Sequence, residues 1–323
     1  MRKARIQKTV TVCVTAAASP LAYHLLPIIA AGEITGPEFH VQLRLLEEVS
    51  RLPALEGVVM ELQDCCYPLL RSVEHGDDPS TMLAEADLVF FLGGVPRKMG
   101  ISREDLVKLN AAYFGILGTA LNEAAKPTTL CLVAAEPKNT NCAALAQHAP
   151  RLPPRNFAGL KLLDQQRAMA QVAKHFHTIP ANVKKVIVWG DSEQQLCPDI
   201  SFGKVSGEPI TEAGLNQEAL VVSVQRRETA IISTRKYRSS ASTAQAAAEH
   251  MRRWLHGSSK WTCMSVMSEG AYGIPAGVWC GVPVTCKPGQ WQIVPGLELT
   301  ENTQEKLQAI YAQLANEHAF MFD

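Results

Sequence analysis

Short apolar runs rich in β-branched residues alternate with segments of helical period through the first half of this chain. The runs are Val10 to Val14, Val41 to Leu46, Leu88 to Leu92 and Leu130 to Ala134. Strands separated by helices cannot close as hairpins, so the alternation predicts a parallel sheet with helices wound on both faces, an α/β fold of the doubly wound type. Sheets of that kind bind ligands in the crevice at the carboxyl ends of their strands. Functional residues are therefore sought where these runs end.

A cluster of prolines, Pro150, Pro153 and Pro154, interrupts the pattern and sets an expected boundary between residues 1–155 and residues 156–323. Beyond it the spacing predicts a helix from about Asp164 to His177, a strand from Val183 to Trp189, a helix from about Ser242 to Leu255 and a last helix starting near Asn302. Asn302 with Glu305 three residues on has the form of an N-terminal capping pair. The chain shows no internal repeat and no low-complexity tract.

With 323 residues, 47% of them hydrophobic, the chain can bury a large core. Its 31 basic and 31 acidic residues balance, which argues against a polyanion-binding surface and against nucleic acid as a partner. Nine cysteines lack any C-x-x-C pair, so buried free thiols in a reducing compartment are expected rather than a zinc site. The basic start, Met1 to Arg5, leads directly into a strand-like run without a signal-peptide apolar core. No apolar run reaches transmembrane length. The expectation is a soluble protein, cytoplasmic or associated with the cytoskeleton, with no membrane partner.

Several segments are too long to be chance matches to one family. They include Gly57 to Cys65 (GVVMELQDC), Pro96 to Leu106 (PRKMGISREDL), Pro137 to Asn141 (PKNTN), Leu163 to Ala168 (LDQQRA), Trp254 to Gly257 (WLHG) and Tyr272 to Pro275 (YGIP). Together they resemble malate dehydrogenases of the cytosolic type, in the lactate/malate dehydrogenase superfamily, and the likeness covers almost the whole chain. The resemblance implies a Rossmann-like NAD-binding domain followed by an α+β domain for substrate and dimerisation, with a homodimer as the default assembly.

The same resemblance locates a cofactor site. Where the family strand ends in T-G-A-A-G-Q, this chain has Thr15-Ala16-Ala17-Ala18-Ser19-Pro20, with Ala16 and Ser19 in place of both glycines. Glycine permits the tight turn and close backbone approach that a pyrophosphate needs, and a positive φ at such a position costs another residue about 1–2 kcal/mol. Pro20 suits a first helical turn but removes an amide donor. Glu47 ends the second strand where the family places the aspartate for the adenosine ribose, a carboxylate that favours NAD over NADP. Gly93 and Gly94 match the glycine-containing loop beside the cofactor, and Ser242 stands where the family has a methionine beside the nicotinamide. NAD binding is expected, weaker than in relatives with the glycines.

For the substrate, the resemblance implies three arginines gripping a dicarboxylate through guanidinium forks, and Arg97, Arg103 and Arg167 fill those positions. The catalytic segment departs from the family. The run Trp189-Gly190-Asp191-Ser192 corresponds to W-G-N-H, so Ser192 replaces the histidine that exchanges the substrate proton, a task a hydroxyl cannot copy at neutral pH. Asp164 matches the carboxylate that orients that histidine, and without it can accept from Ser192 or pair with Arg167. His175 and His177 lie at the far end of the helix that Asp164 begins, about 16–20 Å along its axis, too far to substitute. Glu136 replaces a substrate-contacting asparagine and repels a dicarboxylate unless Lys138 or an arginine neutralises it. The pattern predicts a malate dehydrogenase-like protein with little or no dehydrogenase activity, binding a small dicarboxylate or other anion and serving a binding, regulatory or structural role, with a protein assembly as a further partner. The alternative is an active NAD-dependent malate (2-hydroxyacid) dehydrogenase with water or Glu136 as proton donor.

Overall fold

The computed structural model describes residues 8–96, 100–191, 196–211 and 215–321. Arg97 and Ser192 therefore lie outside the described residues.

The elements run in the order β1 (Lys8–Thr15), α1 (Pro20–Ala30), β2 (Phe39–Leu46), α2 (Leu52–Asp64), β3 (Leu70–Gly76), α3 (Pro79–Leu83), β4 (Leu88–Phe91), α4 (Arg103–Ala124), β5 (Leu130–Val133), α5 (Lys138–His148) and β6 (Phe157–Leu160). They continue with α6 (Leu162–His175), β7 (Val183–Lys184), β8 (Ile187–Gly190), β9 (Leu196–Asp199), β10 (Lys204–Val205), β11 (Glu208–Pro209), α7 (Gln217–Gln225) and α8 (Arg227–Arg235). The last are α9 (Ala241–His256), β12 (Ser258–Met267), β13 (Trp279–Lys287), β14 (Gln290–Ile293) and α10 (Glu301–Phe320).

Strands β3-β2-β1-β4-β5-β6 are parallel and neighbour one another in that order. The order reverses between β1 and β4, which is where a doubly wound sheet opens its ligand crevice. Both faces of the inner strands are buried: Val12 and Val14 join one apolar cluster with Leu25, Ile29 and Leu43, while Cys13 joins the other with Val89, Phe91 and Phe114. The sheet does not stop at β6. Its other edge pairs antiparallel with β12, and β13, β8 and β9 extend the same sheet.

Local chemistry sets the element ends that carry site residues. Ser19 caps α1 by accepting from the Ala22 amide at 3.2 Å, with Pro20 in the first turn where a missing amide costs nothing. Ser102 caps α4 and accepts from the Asp105 amide at 3.0 Å, with Glu104 and Asp105 favourable beside the helix N-terminus.

Three expectations are corrected. The strand β3 is absent from the sequence reading because Leu70–Gly76 lies at the sheet edge, with no fully buried residue, and carries Arg71, Glu74 and His75 instead of an apolar run. The run Val183 to Trp189 is two strands, broken at Lys185, whose φ is 57°. The last helix is capped by Thr300, which accepts from the Thr303 amide at 3.3 Å, while Asn302 is exposed inside the first turn.

Candidate active site

At the end of β1 the chain keeps a glycine-like turn without the glycine. Ala16 holds φ 49°, the left-handed region that disfavours a side chain. Gly93, beyond β4, packs directly on it: a Cβ at Gly93 would stand 2.4 Å from the Ala16 Cβ. Gly94 is equally committed, because a Cβ there would meet Asn110 Oδ1 at 2.6 Å. The loop therefore has the backbone path of a phosphate turn.

Its donors are largely occupied by the chain. Glu47, at the end of β2 and 5% exposed, accepts from the Ala18 amide at 2.8 Å and from the Glu48 amide at 3.0 Å. The Ser19 amide donates to the Ala16 carbonyl at 3.0 Å, Pro20 has no amide hydrogen, and the Ala22 amide donates to Ser19 Oγ. The Leu21 amide remains, among the described residues, as a donor for an anion. Adenosine-side chemistry fits this cleft, with a carboxylate at Glu47 for ribose hydroxyls. The pyrophosphate seat keeps its shape with fewer donors than a glycine loop offers. Ser242 sits exposed in the first turn of α9.

An ionic cluster is drawn from α4, α5, α6, α8, α10 and the end of β8. Arg103 opens α4, and its guanidinium donates to both carboxylate oxygens of Glu317 on α10, at 2.6 and 3.0 Å, 214 residues away. It also reaches Asp191 Oδ2 at 3.3 Å. Glu317 is 3% exposed, and Asp191, just past β8, is 1% exposed. Burial opposes the charge on Arg103, but Glu317 and Asp191 outweigh it and hold the guanidinium above its ordinary range. Asp191 is affected in the other direction. Burial and the nearby Glu136 push its carboxyl up to about 6, against the pull of Lys161, Arg103 and Lys138.

Arg167 on α6 is held just as firmly. It hydrogen bonds Glu228 on α8 and donates to Ser239 Oγ at 2.9 Å. Ser239 in turn donates its amide and hydroxyl to Glu228, at 3.0 and 2.6 Å. Burial opposes ionisation of Glu228, and the bonds from Ser239 and Arg167 more than offset it, so its carboxyl lies below the ordinary range. Asp164 Oδ1 stands 3.7 Å from Arg167, a looser contact. Glu136 is neutralised by Lys138, its hydrogen-bonded partner across the start of α5.

Sequence reasoning missed three residues of this cluster. Glu317 and Glu228 come from helices distant in sequence. Lys161, between β6 and α6, is fully buried with Nζ 3.6 Å from Asp164 Oδ2. Only Lys161 left a local trace, a cation three residues before Asp164. The structure brings Arg103, Arg167, Asp164 and Glu136 into one ionic neighbourhood. It leaves Ala16, Ser19, Glu47 and Gly93 together at the cofactor crevice, and His175 and His177 at the far end of α6.

A parallel sheet of this strand order, with an alanine-modified phosphate turn at its switch point and a ring of carboxylate-paired cations beside it, defines a dinucleotide-binding α/β protein of the 2-hydroxyacid dehydrogenase type. The chain belongs to the lactate/malate dehydrogenase family: residues 10–158 match its NAD binding domain and residues 162–323 its alpha/beta C-terminal domain. Among solved structures it is similar to malate dehydrogenase from Naegleria fowleri, at 37% identity over 97% of this chain and 98% of that one, with a TM-score of 0.93. It is also similar to Trichomonas vaginalis lactate dehydrogenase in complex with NADH and oxamate, at 31% identity over 97% and 98%, with a TM-score of 0.91. Malate dehydrogenase from Plasmodium falciparum, at 16% identity over 97% and 99% and a TM-score of 0.84, shares the fold.

Proposed function

We propose that this protein is a divergent malate dehydrogenase-like member of its family with little or no dehydrogenase activity, retained as a homodimeric binding, regulatory or structural component. One observation carries the reading: the Arg103 fork already grips the two oxygens of Glu317 at 2.6 and 3.0 Å. The guanidinium edge formed by Nε and one Nη is thereby taken up by the chain's own carboxylate. Arg167 with Glu228 and Lys138 with Glu136 follow the same pattern, each cation answered by a carboxylate of the chain. A dicarboxylate would therefore compete with the chain's own carboxylates for these cations.

NAD, when bound, supplies or accepts the hydride of this family's reaction. The turn from Ala16 to Leu21, with Gly93 packed against it, would hold the pyrophosphate, and Glu47 the adenosine ribose. Glu47 also spends its carboxylate on the Ala18 and Glu48 amides, which supports NAD binding weaker than in a relative with the glycines. The reading is tested with purified protein, malate with NAD and oxaloacetate with NADH, following the nicotinamide absorbance against a control without protein. Turnover faster than about 1 s⁻¹, the low end of ordinary enzyme rates, refutes it.

A further inference from the structure

Strand β14 leaves one edge of its sheet without a partner. It pairs with β13 alone, across a turn at Pro288 and Gly289 that sets Lys287 opposite Gln290 and Thr285 opposite Gln292. Beyond them the Val294 amide donates to the Pro283 carbonyl at 3.0 Å, which fixes the phase of the ladder. Hydrogen-bonded and non-bonded positions alternate in an antiparallel pair, so Gln290 and Gln292 turn their backbone groups toward β13 while Trp291 and Ile293 turn theirs away. On that outer side neither Trp291 nor Ile293 has a backbone hydrogen bond among the described residues. Their N–H and C=O groups form a row with the spacing of an open ladder. The strand has no charged residue, no proline and no register shift, the devices that ordinarily blunt an edge.

The edge opens onto a cleft of about 430 Å³ lined by every residue from Gln290 to Ile293. Successive residues of a strand point to opposite faces, so a cleft that meets all of them lies along the strand's edge and not over one face. Its far wall is Arg155 with Glu269. The guanidinium bonds that carboxylate at 2.6 Å and lies 5.4 Å from the centre of the Trp291 ring, so this pair is neutral and held in place. Lys287 also lines the cleft, on the face it shares with Gln290, and has no carboxylate partner among the described residues. A row of unpaired backbone groups thus stands beside an unanswered positive charge. From this geometry we propose that β14 is a docking edge for an extended acidic segment of a partner protein, which joins the sheet as a further strand. Trp291 and Ile293 supply the ladder hydrogen bonds, and an Asp or Glu of the segment pairs with Lys287. The cleft lies roughly 13–20 Å along β13 from Gly281, the residue that pairs with Gly190 at the end of β8, so docking leaves the ionic cluster uncovered. The inference rests on the reading of this chain as a component of an assembly, and it gives that reading a surface and a kind of partner.

The test is selection of random heptapeptides displayed on phage against the full chain, followed by fluorescence polarisation of the enriched peptides. Enriched sequences are expected to combine β-branched residues with Asp or Glu, and to bind Lys287→Glu and Ile293→Pro about tenfold more weakly than the parent. The first variant reverses the charge. The second removes an outward N–H at an edge position, where a strand tolerates proline. Every second amide of an added strand faces the ladder, so N-methylation of alternate peptide amides is expected to abolish binding in one phase and spare it in the other. No enriched peptide, binding that either variant leaves unchanged, or binding indifferent to the phase of N-methylation overturns the proposal. Should Ile293→Pro fail to fold, Lys287→Glu and the N-methylated peptides decide. No turnover is measured, so a failure here is separable from a protein that proves to be an active dehydrogenase.

Discussion

Removing the internal carboxylate from Arg103 should turn a self-satisfied site into an anion site. Glu317→Gln retains the size of the side chain and loses its charge. Charge-assisted hydrogen bonds contribute roughly 1.5–3 kcal/mol each in a dry setting. The Arg103 side chain is 32% exposed, so solvent screening brings the competing interaction to about 1–2 kcal/mol. Lifting that competition strengthens binding of an external carboxylate about tenfold. Were a dissociation constant near 100 mM to fall to about 10 mM, stabilisation by 10 mM malate would rise from below about 0.1 to about 0.4 kcal/mol. In a chain of this size that is roughly 0.5 °C in melting temperature, and higher malate widens it. Thermal melts of parent and variant, with malate, citrate or sulfate and with sodium chloride at matched ionic strength, read the difference. The variant alone should melt lower than the parent, since Arg103 loses its partner, yet gain more from added carboxylate. A lower melting point with no added response to any anion would refute the view of Glu317 as an occupant of the ligand's seat.

Ala16→Gly should raise stability by up to about 1 kcal/mol, because glycine adopts φ 49° without the cost that alanine bears, and calorimetric melting measures it. The raised Asp191 carboxyl makes its ionisation unfavourable to the fold. Its contribution is fully present below the unfolded value of 3.8 and is lost as pH rises through about 6, so Asp191→Asn should gain on the parent between pH 4 and 7 in urea titrations. A constant difference across that window would count against the assignment. Ser192→His, with an imidazole added in the segment that follows Asp191, should lift oxaloacetate reduction above the parent in the nicotinamide absorbance assay. Adding Glu136→Asn should lift it further, by an amount that need not be additive.

The parallel half of the sheet was legible because its strands are short, β-branched and separated by helices. The edge strand Leu70–Gly76 was not, since an edge needs no apolar face and this one has only Leu70 and Val73 among polar residues and glycine. The positions of Arg103, Arg167 and Asp164 were readable from the family resemblance, but not what they touch. Glu317 is 214 residues from Arg103, and nothing in the local pattern of α10 distinguishes it from the other acids of an amphipathic helix. Lys161 reads as an ordinary lysine before a helix. Its burial depends on Gly281 lying opposite, a long-range coincidence that periodicity cannot register. Ala16 was legible in kind, since only the backbone angle decides whether a lost glycine matters.

Strand β6 bonds in parallel to β5 on one side and antiparallel to β12 on the other. The four residues Phe157–Leu160 are thus a seam through which the hydrogen-bond ladder passes unbroken from the dinucleotide side to the strands behind the ionic cluster. Amides of such a seam have no local opening available to them, and exchange with solvent only when the whole ladder comes apart. In deuterium exchange they should be among the slowest in the chain, slower than those of β3 at the free edge. The two halves would then unfold as one cooperative unit, so that a ligand bound on either side of the seam protects both.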